Sequence, residues 1–434
     1  MEPILNFLLK YRTIVIILAV LLPRIVWFIT LDGYLPRPTR DQGIYVRMAG
    51  RIASGEGFSY SSDICWWKNN FQGEATLQDA LCSTPGYMFG IVPEETPTIS
   101  IEPGYPLFLG FLFMLFGPVT GAVFLLNCII ALLGALALWK LVSENWGTKA
   151  ALLATLTWAV YPYYVYYSAY AMTDSIHISM LPILAWLTLR SVNYCRSGFS
   201  AGIVSGLLFL IRSTVIFLLP LQMLYLILRK RWKAALFLFA GFVLCCIPWV
   251  VRNQIDFGSP VLFPTKGSLN LWMRNNPDII AIEGIILPEW IDNGINRRDL
   301  LEFPSMDGAV TELERSSVLS DRATAFIIAN PVLILYLSMI RFALFISPVG
   351  GTVNSIFSLF VGILIYLPIL VIAVIEIIHR RRDARILFLA CIFLTYLGLH
   401  SLAHGGVRYR LPVDMILIVS AALFVSRRAG WEQK

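Results

Sequence analysis

The stretch 13–31, TIVIILAVLLPRIVWFITL, is an apolar run interrupted by a single charged side chain, Arg24. A transmembrane helix needs about 20 predominantly apolar residues to cross the hydrocarbon core of a bilayer. In the whole chain of 434 residues, 57% are hydrophobic and only 14% are charged, whereas about 25% of the residues in a soluble domain are charged. Most of the surface is therefore expected to face lipid. Because the run has no small-residue cleavage site, it is interpreted as a spanning helix rather than a cleaved leader.

Further apolar runs of spanning length follow along the chain. They are 119–141, 150–168, 175–189, 234–251, 358–378, 386–402 and 411–425. The stretch 199–228 is too long for one crossing and is interpreted as a hairpin of two, because basic residues flank both of its ends. The sequence thus predicts ten crossings, in an all-α polytopic membrane protein with a bundle of about 10–12 transmembrane helices. Two shorter apolar runs, 104–116 and 331–346, are predicted to be juxtamembrane or partly inserted helices.

The distribution of charge predicts the orientation. Basic residues cluster between alternate runs, as at 229–233 and 380–385, while most acids lie in two long loops, 32–102 and 252–330. Cytoplasmic loops are enriched in Lys and Arg, so we expect both termini in the cytoplasm and both long loops outside it. Although the net charge is +7, the basic residues form no single patch, and no nucleic-acid partner is expected.

Three parts follow from this threading. They are an N-terminal transmembrane module, 1–251, which includes the external loop 32–102; a second external loop with juxtamembrane helices, 252–356; and C-terminal transmembrane helices, 357–434. Long loops inside a compact protein are usually functional. Cys65 and Cys82 lie in the first loop, and outside the cytoplasm they are predicted to form a disulfide; the alternative is two free thiols.

The first loop opens with RPTRDQGIYVRMAGRIASGEGF, residues 37–58. Its apolar residues recur every three or four positions from 44 to 53, which predicts an amphipathic helix that ends at Gly55 and Gly57. Asp41 then lies at the N-terminus of the helix, where the helix dipole favours a negative charge. A fixed, ionised carboxylate suits a general base. The alternative interpretation is a helix cap without chemistry.

Other charged residues lie within or beside the apolar runs. Asp174 is costly near the membrane unless it is paired or faces water. Arg212, in the middle of the predicted hairpin, needs an anion, and either Asp174 or a lipid phosphate could supply it. Glu102, before the turn that leads back to the membrane, is either a second acid or a solvated charge.

Basic residues also stand at the start of the last apolar run. Arg408 and Arg410, with Tyr409 between them, oppose the expected charge bias of an external loop. A guanidinium suits phosphate through two parallel hydrogen bonds, whereas the alternative is snorkelling to the membrane surface. His404, one turn before Arg408, and Lys266 in the second loop are further candidates for binding the same group.

In their order along the chain, six short segments resemble the GT-C glycosyltransferases. They are Asp41-Gln42 with the helix that follows it, the return segment EPGYP at 102–106, the segment 161–187 that carries Asp174, the segment 206–220 that carries Arg212, the segment PWVVRN at 248–253, and VRYR at 407–410. The resemblance is to the protein O-mannosyltransferase and lipid A aminoarabinose transferase group, which is glycosyltransferase family 39-like. That group usually has Asp-Glu where this chain has Asp41-Gln42, and its loop usually returns through a Pro-Pro pair.

The resemblance implies an enzyme that moves a sugar from a polyprenyl-phosphate carrier to a lipid, glycan or protein acceptor. The reaction is expected to be inverting, on the periplasmic or extracellular face of a bacterial plasma (inner) membrane. The candidate catalytic residues are Asp41 as general base, Asp174 and Glu102. The candidate substrate-binding residues are Arg408, Tyr409, Arg410, Lys266, Arg212 and His404. No metal site is predicted, although the three acids could supply carboxylates to Mg²⁺ or Mn²⁺.

Two other functions remain open. A lipid or sugar transporter without chemistry predicts inverted repeats and paired broken helices, which the sequence does not show clearly. A non-catalytic GT-C-like assembly subunit is favoured by the missing second acid after Asp41. The sequence identifies neither the sugar, hexose or pentose, nor the acceptor.

Overall fold

A computed structural model describes residues 2–31, 40–59, 97–117, 120–276, 306, 308–348 and 356–431. Regular structure in these ranges is helical, apart from one isolated bridge between Ser59 and Pro97. The predicted all-α membrane fold is therefore confirmed. Cys65 and Cys82 lie outside the described residues, so their predicted disulfide stays a prediction.

The helices are numbered here in chain order. They are α1 (Glu2–Lys10), α2 (Arg12–Thr30), α3 (Arg40–Ala53), α4 (Gly104–Phe116), α5 (Thr120–Trp146), α6 (Thr148–Val160), α7 (Pro162–Tyr167), α8 (Thr173–Arg190), α9 (Arg196–Ile211), α10 (Leu218–Leu228), α11 (Trp232–Phe257), α12 (Lys266–Arg274), α13 (Glu312–Ala329), α14 (Pro331–Ile346), α15 (Ile356–Val361), α16 (Leu367–His379), α17 (Ala384–Leu402) and α18 (Val407–Arg428). A 3₁₀ turn, Ser213–Phe217, precedes α10, and a π-helical turn, Gly362–Tyr366, joins α15 to α16.

In the described ranges, six helices are individually long and apolar enough to cross a membrane: Arg12–Thr30, Gly121–Trp146, Trp232–Phe257, Leu359–His379, Ala384–Leu402 and Val407–Arg428. The sequence predicted ten crossings. The other four predicted runs form α6, α8, α9 and the 3₁₀ turn with α10, which are shorter or more polar. For example, the run 150–168 is divided because Pro162 has no N–H for a continuous helix and begins α7 instead.

Charged residues from separate connections meet at one end of the bundle, which we call the basic end. Arg190, at the end of α8, pairs with Glu144 of α5 at 2.9 Å. Arg385, in the first turn of α17, donates to the carbonyl oxygen of Asn145 at 2.8 Å. Arg427 lies at this end of α18 and pairs with a carboxylate of α16 at 2.7 Å. Basic loops that the sequence placed on one side of the membrane thus lie at one end of the molecule.

The opposite end, which we call the site end, holds Asp41, Asp174 and Arg408. Arg408 and Arg427 are 19 residues apart in α18, or about 28 Å of helix, close to the thickness of a hydrocarbon core. Helix α8 has Asp174 in its first turn and Arg190 in its last. It therefore runs from one end to the other, although its composition alone does not mark it as a span.

Two short apolar helices have the bounds that the sequence predicted. Helix α4 is Gly104–Phe116, and it packs against α3 at the site end. Helix α14 is Pro331–Ile346, and it meets α13 at an angle of 100°. The chain turns there because proline at the first position of α14 cannot donate a backbone hydrogen bond to α13.

Glycines set the position of α9. Gly198, Gly202 and Gly206 recur every four residues along its face toward α11. A Cβ on Gly202 would lie 2.0 Å from the carbonyl oxygen of Leu238, so the two backbones touch. Small residues allow this close approach of helices in a membrane. Arg212 directly follows α9 and is therefore held at a fixed depth at the site end.

Candidate functional site

Asp41, in the first turn of α3, has both carboxylate oxygens paired. Its Oδ1 accepts from Lys266 Nζ at 3.1 Å, and its Oδ2 accepts from Arg408 Nη1 at 3.1 Å. The side chain remains 30% exposed. Asp41 therefore joins the first and second predicted external loops to the start of the last helix.

Asp174 holds the same arginine from the opposite direction. Its Oδ1 accepts from Arg212 Nη1 at 3.1 Å, and its Oδ2 accepts from Arg408 Nε and Nη2, each at 3.0 Å. The Asp174 side chain is completely buried. The anion partner expected for Arg212 is thus Asp174, and Arg408 lies between two carboxylates.

We call Asp41, Asp174, Lys266, Arg212 and Arg408 the carboxylate–cation cluster. Its three cations and two carboxylates give a formal charge of +1. The members come from α3, α8, α12, the start of α18 and the residue after α9. All three predicted parts of the chain contribute to it, so the cluster exists only in the folded molecule. A surplus of positive charge suits an anionic ligand.

The ion pairs determine the protonation of Asp41 and Lys266. Burial alone would raise the pKa of Asp41, but Lys266 and Arg408 outweigh it and hold that pKa well below its ordinary value. Burial alone would lower the pKa of Lys266, but Asp41 outweighs it and raises that pKa. Both groups are therefore charged at neutral pH. A carboxylate whose pKa is lowered in this way is a weak base, because it binds a proton only weakly.

Sequence reasoning missed Tyr45 as part of this site. It lies one helical turn after Asp41, is buried, and contacts Tyr105 edge to face with 5.2 Å between ring centroids. Burial raises the pKa of Tyr45 to about 12, with smaller effects from Lys266 and Asp41. Its hydroxyl group therefore stays protonated beside the cluster. The spacing of four residues from Asp41 was the signal that could have found it.

Gln42 stands where the resembling family usually has a second acid. It is buried, and its Oε1 accepts from the backbone N–H of Ala171 at 3.1 Å. The contact ties α3 to the segment just before α8, and so fixes Asp41 relative to Asp174. Gln42 therefore positions the site instead of adding a charge to it.

Tyr409 lies beneath two guanidinium groups. The guanidinium carbon of Arg212 is 5.3 Å from the ring centroid of Tyr409, and that of Arg408 is 6.0 Å away. The ring of Tyr409 also stacks on that of His400, with 4.8 Å between centroids. Cations are attracted to the face of an aromatic ring, so Tyr409 supports both arginines of the cluster.

His404 lies beside the cluster and contacts none of its members in the contacts described. Its Nε2 accepts from Arg274 Nε at 2.9 Å. Burial lowers the pKa of His404 to about 2, and the neighbouring cations Arg274 and Arg341 add to that effect. His404 is therefore neutral and joins the end of α12 to the start of α18.

Arg410 does not join Asp41, although it is only two residues from Arg408. It is fully buried, pairs with Asp414 at 2.9 Å, and donates to the backbone carbonyl of Ser347 at 2.7 Å. Its guanidinium lies over the ring of Tyr366 at 3.4 Å. Residues two apart on a helix point to different faces. The expected convergence on Asp41 therefore holds for Arg408 and not for Arg410.

Glu102 has a structural contact that the sequence did not indicate. One of its carboxylate oxygens accepts from the backbone N–H of Ser213 at 3.0 Å and from its hydroxyl at 2.8 Å. It therefore caps the 3₁₀ turn that follows Arg212. In the described contacts, Glu102 holds the backbone next to the cluster and pairs with none of its side chains.

The acids considered for a divalent cation do not form a suitable set of ligands. Asp41 and Asp174 direct their oxygens at guanidinium and ammonium groups, and Glu102 accepts from Ser213. Mg²⁺ and Mn²⁺ prefer clustered oxygen ligands without competing cations. Across the described ranges, no group of three or more potential ligands is arranged to hold a metal ion. Within the described ranges, Asp41, Asp174 and Glu102 thus form no ligand set for Mg²⁺ or Mn²⁺, and the use of a divalent cation stays a prediction.

Comparison with known proteins agrees with this architecture. Residues 97–251 match the family described as dolichyl-phosphate-mannose-protein mannosyltransferase. The fold is similar to that of the oligosaccharyltransferase AglB from Archaeoglobus fulgidus, solved with an inhibitory peptide and dolichol-phosphate, with a TM-score of 0.58 and 14% identity. The apo form of the oligosaccharyltransferase from the same organism gives a TM-score of 0.56 and 15% identity.

The chain has the GT-C fold. The resemblance to GT-C enzymes that the sequence motifs indicated is thereby confirmed at the level of the fold. The alignment covers 97% of this chain but 50% of the AglB chain, so this chain spans about half the length of that neighbour. ArnT from Cupriavidus metallidurans, bound to undecaprenyl phosphate, is also similar, with a TM-score of 0.43, 14% identity, and coverage of 95% of this chain and 78% of its own. No curated protein matches the chain in sequence.

Proposed function

We propose that this GT-C protein transfers a sugar from a polyprenyl-phosphate carrier to a nucleophilic acceptor at the site end. The observation that carries the proposal is the convergence of Asp41 and Arg408, 3.1 Å apart, although they are separated by most of the chain. The matched family is named for a dolichyl-phosphate sugar donor, and AglB was solved with dolichol-phosphate. Both support a lipid phosphate as the ligand of this cluster.

The cations of the cluster suit the phosphate of the donor. Lys266 and Arg408 each have a donor group directed toward the partly exposed Asp41, while Arg212 lies behind them on Asp174. A phosphodiester carries one negative charge, which matches the formal charge of +1 on the cluster. During transfer the departing phosphate gains a second charge, and preorganised cations stabilise that charge most.

The reaction is a direct displacement with inversion. The acceptor hydroxyl or amine attacks the anomeric carbon, and the bond from that carbon to the phosphate oxygen breaks with its electron pair. A new bond joins sugar to acceptor, polyprenyl phosphate departs, and Asp41 takes the acceptor proton. The sugar is already activated by its phosphate, so no nucleotide is required.

The two ends of the molecule support an orientation for the proposed enzyme. Arg190, Arg385 and Arg427 gather at the basic end, and cytoplasmic loops carry such an excess of basic residues. The start of α1, where Glu2 pairs with Lys149, and the end of α18 lie at that end. With that end in the cytoplasm, the cluster would open on the periplasmic or extracellular face. The donor lipid would lie in the membrane beside the short helix α4, whose exposed side chains, such as Phe111 and Met114, are apolar.

A transfer assay with purified protein tests the proposal. The protein in detergent is supplied with a radiolabelled polyprenyl-phosphate sugar and a mixture of lipid, glycan and peptide acceptors. Wild type should transfer the label, Asp41→Asn should lose at least 100-fold in rate because the base is absent, and the variant should still bind carrier. Glu56→Gln removes a carboxylate that pairs with Arg51 outside the cluster, and it should transfer at the wild-type rate. Full activity in Asp41→Asn would remove Asp41 from the mechanism.

One observation favours the alternative of a non-catalytic GT-C-like subunit. Gln42 replaces the usual second acid, and it serves as a structural contact to Ala171. On that alternative, wild type binds polyprenyl phosphate and transfers no label from any donor in the assay. A transporter without chemistry requires a second assay, in which the protein is reconstituted in vesicles: it would move labelled carrier across the bilayer and form no transfer product.

A further inference from the structure

The two carboxylates of the cluster differ in how firmly they are held. Asp41 is 30% exposed and pairs with Lys266 and Arg408 through one contact on each oxygen. Asp174 is completely buried and takes two nitrogens of Arg408 and one of Arg212. Breaking the contacts of Asp174 would leave buried charges unpaired, at a high cost. The pairs of Asp41 are partly exposed, so exchanging them costs less than exchanging the pairs of the fully buried Asp174.

We propose that Asp41 occupies the phosphate position of the donor site and that the arriving donor phosphate displaces it, which frees Asp41 to act as the base. The inference rests on the proposed function and assigns an order to its steps: the donor binds first, and Asp41 then becomes free to accept a proton. Without the donor, both oxygens of Asp41 are held by cations, and the carboxylate is a weak base. With the donor present, the phosphate oxygens accept from Lys266 and Arg408, and the carboxylate is released toward the acceptor.

The geometry of Arg408 permits this exchange. Its Nε and Nη2 face the buried Asp174, whereas its Nη1 alone reaches Asp41. A phosphate can therefore replace Asp41 at Nη1 without disturbing the contacts behind it. Asp174 is accordingly a positioning residue, since it fixes the direction in which Nη1 points.

The charge balance also favours exchange. Lys266, Arg212 and Arg408 supply three positive charges, and the two aspartates supply two negative ones. A phosphodiester with one negative charge brings the total to zero. The three cations therefore balance the donor and both carboxylates, even when Asp41 no longer contacts Lys266 or Arg408. Once it loses its two cations, Asp41 also loses the interactions that lower its pKa, and it becomes a stronger base. Donor binding therefore activates the group that deprotonates the acceptor.

The displacement predicts opposite effects of two similar substitutions on carrier binding. Asp41→Asn removes the competitor for Lys266 and Arg408, so a polyprenyl monophosphate should bind roughly fivefold or more tightly than to wild type. Asp174→Asn removes the anchor of Arg408 and Arg212, so the same lipid should bind more weakly. Asp174→Asn is the matched control, because it removes an equal charge from the same arginine. Simple loss of negative charge would make both variants bind more tightly.

The measurement is a titration of purified full-length protein in detergent with a polyprenyl monophosphate. Glu56→Gln should bind it as wild type does, since Glu56 pairs with Arg51 away from the cluster. Unchanged or weaker binding by Asp41→Asn overturns the inference, as does tighter binding by both aspartate variants. If Asp41→Asn does not fold, Asp41→Ser is interpreted in the same way. An Asp41→Asn protein that is inactive but binds with wild-type affinity would refute the displacement alone and leave the proposed function standing.

Discussion

Arg408 and Arg410 show how a helix separates two similar residues at the scale of single side chains. Arg408 faces Asp41 and Asp174, while Arg410 faces Asp414 inside the bundle. The sequence predicted that the two arginines need anionic partners, and each of them pairs with aspartate in the structure. It could not indicate which anion serves which arginine, because the partners come from helices that are distant in the chain.

His404 gives a pH-dependent prediction at the same scale. Its folded pKa is lowered to about 2 by burial, whereas an unfolded histidine titrates near 6.5. Below that pH His404 is protonated in the unfolded chain but stays neutral in the folded protein. The free energy of unfolding therefore decreases as pH falls from 7.5 to 5.5. The contribution is at most about 1.4 kcal/mol, the free energy of one pKa unit.

The check compares thermal unfolding at the two pH values. His404→Gln keeps an acceptor for Arg274 and removes the titrating group, so its melting temperature should fall less than that of wild type over this interval. His379→Gln, at an exposed position at the basic end, is the matched control and should behave as wild type. An equal or larger fall in His404→Gln would contradict the assignment of a neutral, buried imidazole.

At the scale of helices, the contact of α9 with α11 fixes one wall of the site. Gly202 leaves no room for a side chain, since a Cβ would lie 2.0 Å from the backbone oxygen of Leu238. Gly202→Ala should therefore force the helices apart and lower the free energy of unfolding by about 1–3 kcal/mol. Gly398→Ala in α17 is a matched control, because a Cβ there meets nothing within 4 Å. It should be neutral or slightly stabilising.

Thermal unfolding in detergent distinguishes these outcomes. We expect Gly202→Ala also to weaken carrier binding, because Arg212 follows α9 directly and would shift with it. A Gly202→Ala protein as stable as Gly398→Ala would show that the close packing of α9 on α11 contributes little to the fold.

Helices were predicted from the sequence with uneven success, for physical reasons. The bounds of α4 and α14 follow from their proline and glycine boundaries, and the structure has the same bounds. The division at Pro162 was missed, because the apolar run continues through it. The contacts of Gln42 with Ala171 and of Glu102 with Ser213 were also missed, since hydrogen bonds between distant segments leave no periodic signal in the chain.

At the scale of the whole molecule, one end is basic, and the carboxylate–cation cluster lies at the other end. The threading from loop charges predicted that Asp41 and Arg408 share one side, and they meet directly at 3.1 Å. The resemblance to GT-C enzymes supplied the expected chemistry, and the fold agrees with it. The sequence could not predict that both carboxylate oxygens of Asp41 pair with cations, because this pairing depends on how α3, α12 and α18 pack together.

The most direct test is an experimental structure of the full-length protein with a bound polyprenyl phosphate. The phosphate should lie between Lys266 Nζ and Arg408 Nη1, Asp41 should have left both contacts, and Asp174 should still hold Arg212 and Arg408. A phosphate bound elsewhere, with Asp41 still paired to Lys266 and Arg408, would contradict the assignment of this cluster as the donor site.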